Sequence, residues 1–270
     1  MLGKLLKHEL RATARIMIPV YLLLVVSACL FTLTMFLADA YDLMALDIFL
    51  GILSTVFTIT LAGTLVCNTA LMVYRFYKNL MTDEGYLMFT LPATVDGLIC
   101  SKLLSALIWS ACTVLAEALA LWISARGVFV REGLELLFAE DWSIIFSLFS
   151  TGQWISFILQ AILALVLSTS ASFLLFYAAI ALGHSFANHK VLLSVVFYFA
   201  FTFGLQTFGS FLSVFGIVYL ATDTPPLFLA GDPAVIVQTV LLIVLAGSLV
   251  LAAVFYIVTR LLLKKRLNLA

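Results

Sequence analysis

Long apolar runs alternate with short charged clusters along all 270 residues of the chain. A helix needs about 20 residues to cross a bilayer core of roughly 30 Å, and six runs meet that length. They are Ile16–Ala38, Ile48–Tyr74, Leu103–Ala125, Ile155–Leu182, Val191–Leu220 and Ala234–Leu263. Hydrophobic residues make up 64% and charged residues 10% of the chain, a balance far from that of a soluble core. The pattern predicts an all-α, polytopic integral membrane protein. Residues 1–270 form a single transmembrane domain, because no polar interval reaches the roughly 50 residues of a small soluble domain.

Charge sets the expected orientation. With the N-terminus inside, twelve of the fourteen Lys and Arg residues fall on the cytoplasmic side: Lys4, Lys7, Arg11, Arg15, Arg75, Lys78, Lys102, Lys190, Arg260, Lys264, Lys265 and Arg266. Only Arg126 and Arg131 fall outside, together with Asp39, Asp42, Asp47, Glu132, Glu135, Glu140, Asp141, Asp223 and Asp232. Basic residues in short loops decide topology, whereas acids contribute little. Both termini are therefore expected in the cytoplasm, and the zero net charge is an average over two unlike faces.

Trp142–Leu182 carries no charged residue for 41 positions. One straight helix of that length would run about 60 Å, twice the hydrocarbon thickness. Two spans would fit poorly and would send Lys190 and the C-terminal basic cluster outside. The Ser150-Thr151-Gly152-Gln153 step is the expected break. It leaves Glu132–Phe149, within the outer region 126–154, as an interfacial or partly re-entrant helix before the fourth span.

At the N-terminus, no small-residue cleavage site follows the first apolar run, so a cleaved signal peptide is not expected. Leu5, Leu6 and Leu10 interleave with Lys4, Lys7, Arg11 and Arg15 over residues 1–15. That pattern suits an amphipathic helix on the inner leaflet with its cations at anionic head groups. It suits equally a plain basic anchor beside a span.

The usual enzyme signatures are missing. There is no G-x-x-x-x-G-K-[ST] phosphate loop, no H-E-x-x-H pair and no G-x-S-x-G elbow. His8, His184 and His189 stand at the cytoplasmic boundary, where the latter two close one helix and open the next. Cys29, Cys67, Cys100 and Cys112 have the spacing of neither a disulfide framework nor a zinc site. No catalytic, metal or cofactor-binding residue is assigned.

The loop Arg75–Lys102 reads RFYKNLMTDEGYLMFTLPATVDGLICSK. Arg75–Leu80 extends the second span into the cytoplasm. Thr82-Asp83-Glu84 has the form of a helix cap with acids in the first turn, and Gly85 permits a sharp change of direction. Tyr86, Leu87, Met88, Phe89 and Leu91 are too apolar for a solvated loop, and Pro92 stops the segment. A second helix start follows at Thr94-Val95-Asp96. A short apolar element between hinges fits a peg in a partner's groove or an interfacial helix on the lipid head groups.

The run YRFYKNLMTDEGYLMFTLP (Tyr74–Pro92), the Ser-Lys-Leu-Leu that opens the third span, and the GHSFANHK turn (Gly183–Lys190) resemble membrane subunits of ABC transporters. The likeness is to the type-2 exporter permeases of Gram-positive bacteria, including relatives of lantibiotic-immunity and antimicrobial-peptide exporters. It extends over most of the chain, although Ala221–Pro233 is shorter than the family's outer segment often is. The resemblance implies a six-span permease that moves an amphipathic peptide, lipid or drug. It implies a multi-pass location in the bacterial plasma membrane and pairing with a second permease chain, identical or paralogous. Two copies of a separate ATP-binding subunit would supply ATP and Mg, so that this chain is not itself an enzyme and binds no nucleic acid. Carried over, the coupling helix that docks on the ATPase comprises Thr82, Asp83, Glu84, Gly85, Tyr86, Phe89 and Pro92. A non-transport scaffold or insertase-like assembly factor is the alternative.

Within the spans, Glu117 is the one charged residue at mid-depth. A charge there costs about 2.5–3.5 kcal/mol by insertion measurements, so Glu117 is expected to face a cavity, the bundle interior or a subunit interface. It would either contact substrate or be a protonated acid bonded to Asn68 or Gln160. Asn68, Gln160 and Gln206 fit interhelical hydrogen bonding as well as a pathway. The aromatic run of span five, from Phe197 to Phe215, fits a lipid-facing or core-filling stripe, or an apolar wall for substrate. Ala164/Ser168/Ser172 and Ser248/Ala252 have spacing that allows close helix approach.

Overall fold

The computed structural model describes residues 2–41, 43–82, 85, 94–132, 151–186, 189–220 and 233–265. Six helices account for nearly all of them: α1 Leu2–Ala40, α2 Met44–Met81, α3 Val95–Glu132, α4 Thr151–Gly183, α5 Lys190–Leu220 and α6 Pro233–Lys265. Each contains one of the six spans expected from the sequence, and all six are long and apolar enough to cross a membrane. Even the shortest, α5 with 31 residues, is about 46 Å long at 1.5 Å per residue.

The helix ends follow local chemistry. Thr94 caps α3, its hydroxyl accepting the Gly97 amide at 3.2 Å. Asp47 and Asp96 occupy the first turns of α2 and α3, where the positive end of the helix dipole favours an acid. Pro233 takes the first position of α6, where a missing amide proton costs nothing. Inside the spans, hydroxyl groups turn back on their own helices. Thr34 donates to Leu30 O, Thr64 to Thr60 O, Thr113 to Trp109 O and Thr259 to Phe255 O, each four residues earlier. With no water in the hydrocarbon to serve them, this is the cheapest partner they have.

Leu2–Arg15 is not a separate element. One 39-residue helix runs from Leu2 through Pro19 to Ala40. Glu9, Thr13 and Met17 continue the buried side of α1 through Leu24, Ala28, Phe31 and Met35. The N-terminal segment therefore packs on protein along the same face as the span.

The helices divide into two units, residues 1–74 with 104–145, and residues 75–103 with 146–270. In the first, Leu24, Ala28, Phe31 and Met35 of α1 meet Phe57 of α2 and Ala120 of α3, with the Phe31 and Phe57 rings stacked at 5.5 Å. Polar bonds tie the same helices: Ser27 to Thr60 at 2.8 Å, and Thr32 to the Ile123 carbonyl at 3.2 Å.

In the second unit, α4 packs along both α5 and α6. Its Phe173–Leu175 and Tyr177–Ala181 stretches are buried almost all round, as expected of a central helix. Phe76, on the last turns of α2, stacks on Tyr177 with ring centres 3.9 Å apart and planes 7° from parallel. Along α5, Phe197, Tyr198 and Phe201 make ring contacts beyond their own helix, and Phe199, Phe203, Phe208 and Phe211 are largely exposed. The aromatic run is thus split between packing and an outward face.

Candidate functional site

The turn that follows α2 is built by two residues with separate tasks. The Thr82 hydroxyl donates back to the Lys78 carbonyl and closes α2; Asp83 and Glu84, the rest of the expected cap, lie outside the described residues. The Gly85 amide donates to Thr82 O at 2.8 Å. A Cβ on Gly85 would lie 2.7 Å from Leu80 O and 2.9 Å from Leu80 C, so the turn can pass this close to α2 only with glycine. Asp83, Glu84, Tyr86, Phe89 and Pro92 lie outside the described residues.

Where the chain resumes, Asp96 is held by two residues of α6. Its Oδ1 receives Arg260 Nε at 2.7 Å and the Tyr256 hydroxyl at 2.8 Å. Cys100, one turn further along α3, also lies against the Tyr256 hydroxyl. Nothing in the sequence marks this pairing across 160 positions. The only local signal was an acid in the first turn of α3, which the dipole alone would explain.

The α4–α5 turn is tighter than its polar composition suggests. A Cβ on Gly183 would overlap the side chain and backbone of Ser194, so the two helices meet backbone to backbone here. His189 adopts φ 54°, the left-handed conformation that reverses the chain. His184 is buried rather than a solvated boundary residue. Its Nδ1 donates to Ile180 O at 2.9 Å and its ring meets Tyr77 edge-on at 5.4 Å. Burial pushes its pKa below the ordinary value, the Ile180 bond opposes this, and Lys190 adds to it.

Within the first unit, polar groups gather along one face of α3. Asn68 of α2 donates to Ser110 Oγ at 3.1 Å. Tyr21 of α1 bonds to Thr113 Oγ1 at 2.8 Å and donates to Trp109 O at 3.2 Å. Glu117, one turn beyond Thr113, is an electrostatic neighbour of Tyr21, as are Cys67 and Cys112. Four polar atoms in this cluster are buried with no hydrogen-bond partner among the described residues: Asn68 Oδ1, Ser105 Oγ, Trp109 Nε1 and Glu117 Oε1. A buried polar atom left without a partner costs about 1–3 kcal/mol.

The expected bond between Asn68 and Glu117 is not formed, because the Asn68 amide turns to Ser110. Gln160 belongs to the second unit, its buried Oε1 without a hydrogen-bond partner among the described residues. Gln206 sits on an exposed face of α5. Of the four intramembrane polar residues singled out from the sequence, the structure places Asn68 and Glu117 in the first unit and Gln160 and Gln206 in the second. To the first pair it adds Tyr21, Ser105, Trp109 and Thr113, whose hydroxyl and indole groups read as ordinary span residues.

Among the described residues, no three His, Cys, Asp or Glu side chains come together as a metal site would need. Comparison with protein-family models, with curated proteins and with solved structures found no match.

Proposed function

We propose that this chain is the membrane-spanning permease subunit of an ATP-driven exporter, working with two copies of a separate ATPase and a second permease chain in a bacterial plasma membrane. The observation that carries the reading is the punctuation around Asp83–Ala93. Two helices of 38 residues each flank the segment. Within it Gly85 passes too close to Leu80 for a side chain, and a capped helix start at Thr94 follows it. An apolar element mounted in that way on long rigid levers suits a docking peg, and it is the stretch whose sequence resembles a coupling helix.

In this reading Asp83, Glu84, Tyr86, Phe89 and Pro92 meet the ATPase. Displacement of the peg moves the first turn of α3, and Asp96 passes that movement to Tyr256 and Arg260 on α6. The cargo is an amphipathic peptide, lipid or drug. The partly unsatisfied cluster at Asn68, Trp109 and Glu117 supplies polar contacts that a moving cargo can make and break.

The test is a pull-down of the chain from its native membranes in mild detergent, with mass spectrometry of what accompanies it. Recovery of a soluble ATP-binding subunit supports the proposal, and a second six-span chain would identify the other permease. Recovery of the chain alone, even after crosslinking through Tyr86, would sink it and favour a membrane scaffold or assembly factor.

A further inference from the structure

The N-terminal part of α1 carries a feature that neither packing nor docking uses. His8, Arg11, Ala12 and Arg15 line an open depression of about 390 Å³ on the exposed side of the helix. The buried side lies opposite, where Glu9, Thr13 and Met17 face protein. Glu9, the acid nearest in sequence, lies on that buried side, whereas His8, Arg11 and Arg15 stand together on the other.

That face continues into the membrane. Leu22, Val26 and Leu33 follow Arg15 by seven, eleven and eighteen residues, intervals that return to nearly the same side of a 3.6-residue helix. All three are exposed, at 61%, 56% and 55%. From Arg15 to Val26 is about 16 Å along the axis, half the depth of a hydrocarbon core of roughly 30 Å. A cationic cradle therefore sits directly above an apolar track one leaflet deep. One helix, continuous from Leu2 through Pro19 to Ala40, carries both head and track.

We propose that this face of α1 is a binding site for a single anionic phospholipid. The phosphate lies between Arg11, Arg15 and His8, and an acyl chain lies along Leu22 and Val26. Guanidinium groups offer forked donors that match phosphate oxygens. The continuous apolar track selects a lipid over a free phosphate, which has nothing to place there. The proposal rests on α1 alone and stands whether or not the chain is an exporter subunit.

The test is native mass spectrometry of the full-length chain released into mild detergent from nanodiscs holding equal amounts of phosphatidylglycerol and phosphatidylcholine. The wild type is expected to retain phosphatidylglycerol selectively. Arg11→Gln with Arg15→Gln should weaken that retention about twenty-fivefold, about fivefold for each lost cation. Lys78→Gln, an exposed cation on α2, should leave it unchanged. Val26→Ser should weaken retention of the same lipid with every charge in place. Equal retention of the two lipids by wild type, or undiminished selectivity in the double variant, would overturn the site. Displacement of the lipid by excess inorganic phosphate, or indifference to Val26→Ser, would overturn the lipid as its occupant.

Discussion

Arg260 reaches Asp96 across the second unit with Nε 2.7 Å from Oδ1, fastening the last turns of α6 to the first turn of α3. Both side chains are about half exposed, so the ion pair itself stabilises by at most about 1 kcal/mol. The Tyr256 hydroxyl shares the same oxygen and adds about 1 kcal/mol. Asp96→Asn keeps an acceptor for Tyr256 and should lower stability only slightly, with the difference shrinking in high salt. Asp96→Ala removes both contacts and should cost about 1–2 kcal/mol more. Thermal melts in detergent at low and high salt check the ordering. If Asp96 also couples the peg to α6, Asp96→Asn should reduce transport-linked ATPase stimulation well beyond its small effect on stability.

Gly183→Ala should be among the most damaging single-methyl changes in the chain. The added Cβ overlaps the Ser194 backbone, and helices forced apart in a packed region lose about 1–3 kcal/mol. Gly204→Ala is the matched control: nothing lies within 4 Å of its Cβ position, and alanine gains about 1 kcal/mol of helix propensity. A melting temperature lowered by the first and unchanged or raised by the second is expected. Equal effects would contradict the close approach of α4 and α5.

Glu117→Gln preserves shape and removes the ionisable group. Because Glu117 Oε1 has no hydrogen-bond partner among the described residues, folded yield should be unchanged or slightly better. Transport, on the proposed function, should fall at least about tenfold, the equivalent of 1.4 kcal/mol in a barrier. Parallel loss of folded protein and transport would make Glu117 a packing residue instead.

Burial holds His184 neutral by lowering its pKa from the ordinary 6.5. The unfolded chain then binds the proton more readily, so the contribution of His184 to stability is fully present above pH 6.5. It is lost as pH falls from there through the lower folded pKa. Melts from pH 8 to 5 should show this decline, and His184→Gln should flatten it. A profile that is the same in both proteins would remove His184 as the cause.

Glu84→Arg tests the docking segment directly. Membrane insertion should be normal, while co-purification with the ATPase should drop at least about tenfold, since a like-charge contact at an interface costs several kcal/mol. Unchanged complex yield would count against docking through this segment.

Hydropathy by itself determined the six spans, because each must hide its backbone in a continuous helix and so records its length in an apolar run. Local chemistry likewise marked the Thr94 start of α3, whose cause lies within a few residues. Tertiary structure decided what depends on distant partners. That Glu9, Thr13 and Met17 form a buried side of α1 depends on what packs against it, and the interleaved charges of residues 1–15 do not show it. That Asp96 meets Arg260, that Asn68 chooses Ser110 over Glu117, and that Gln206 faces outward are settled by which helix faces oppose each other. In spans this apolar, the sides of a helix look alike in sequence, since lipid and protein interior are equally dry. Only packing tells them apart.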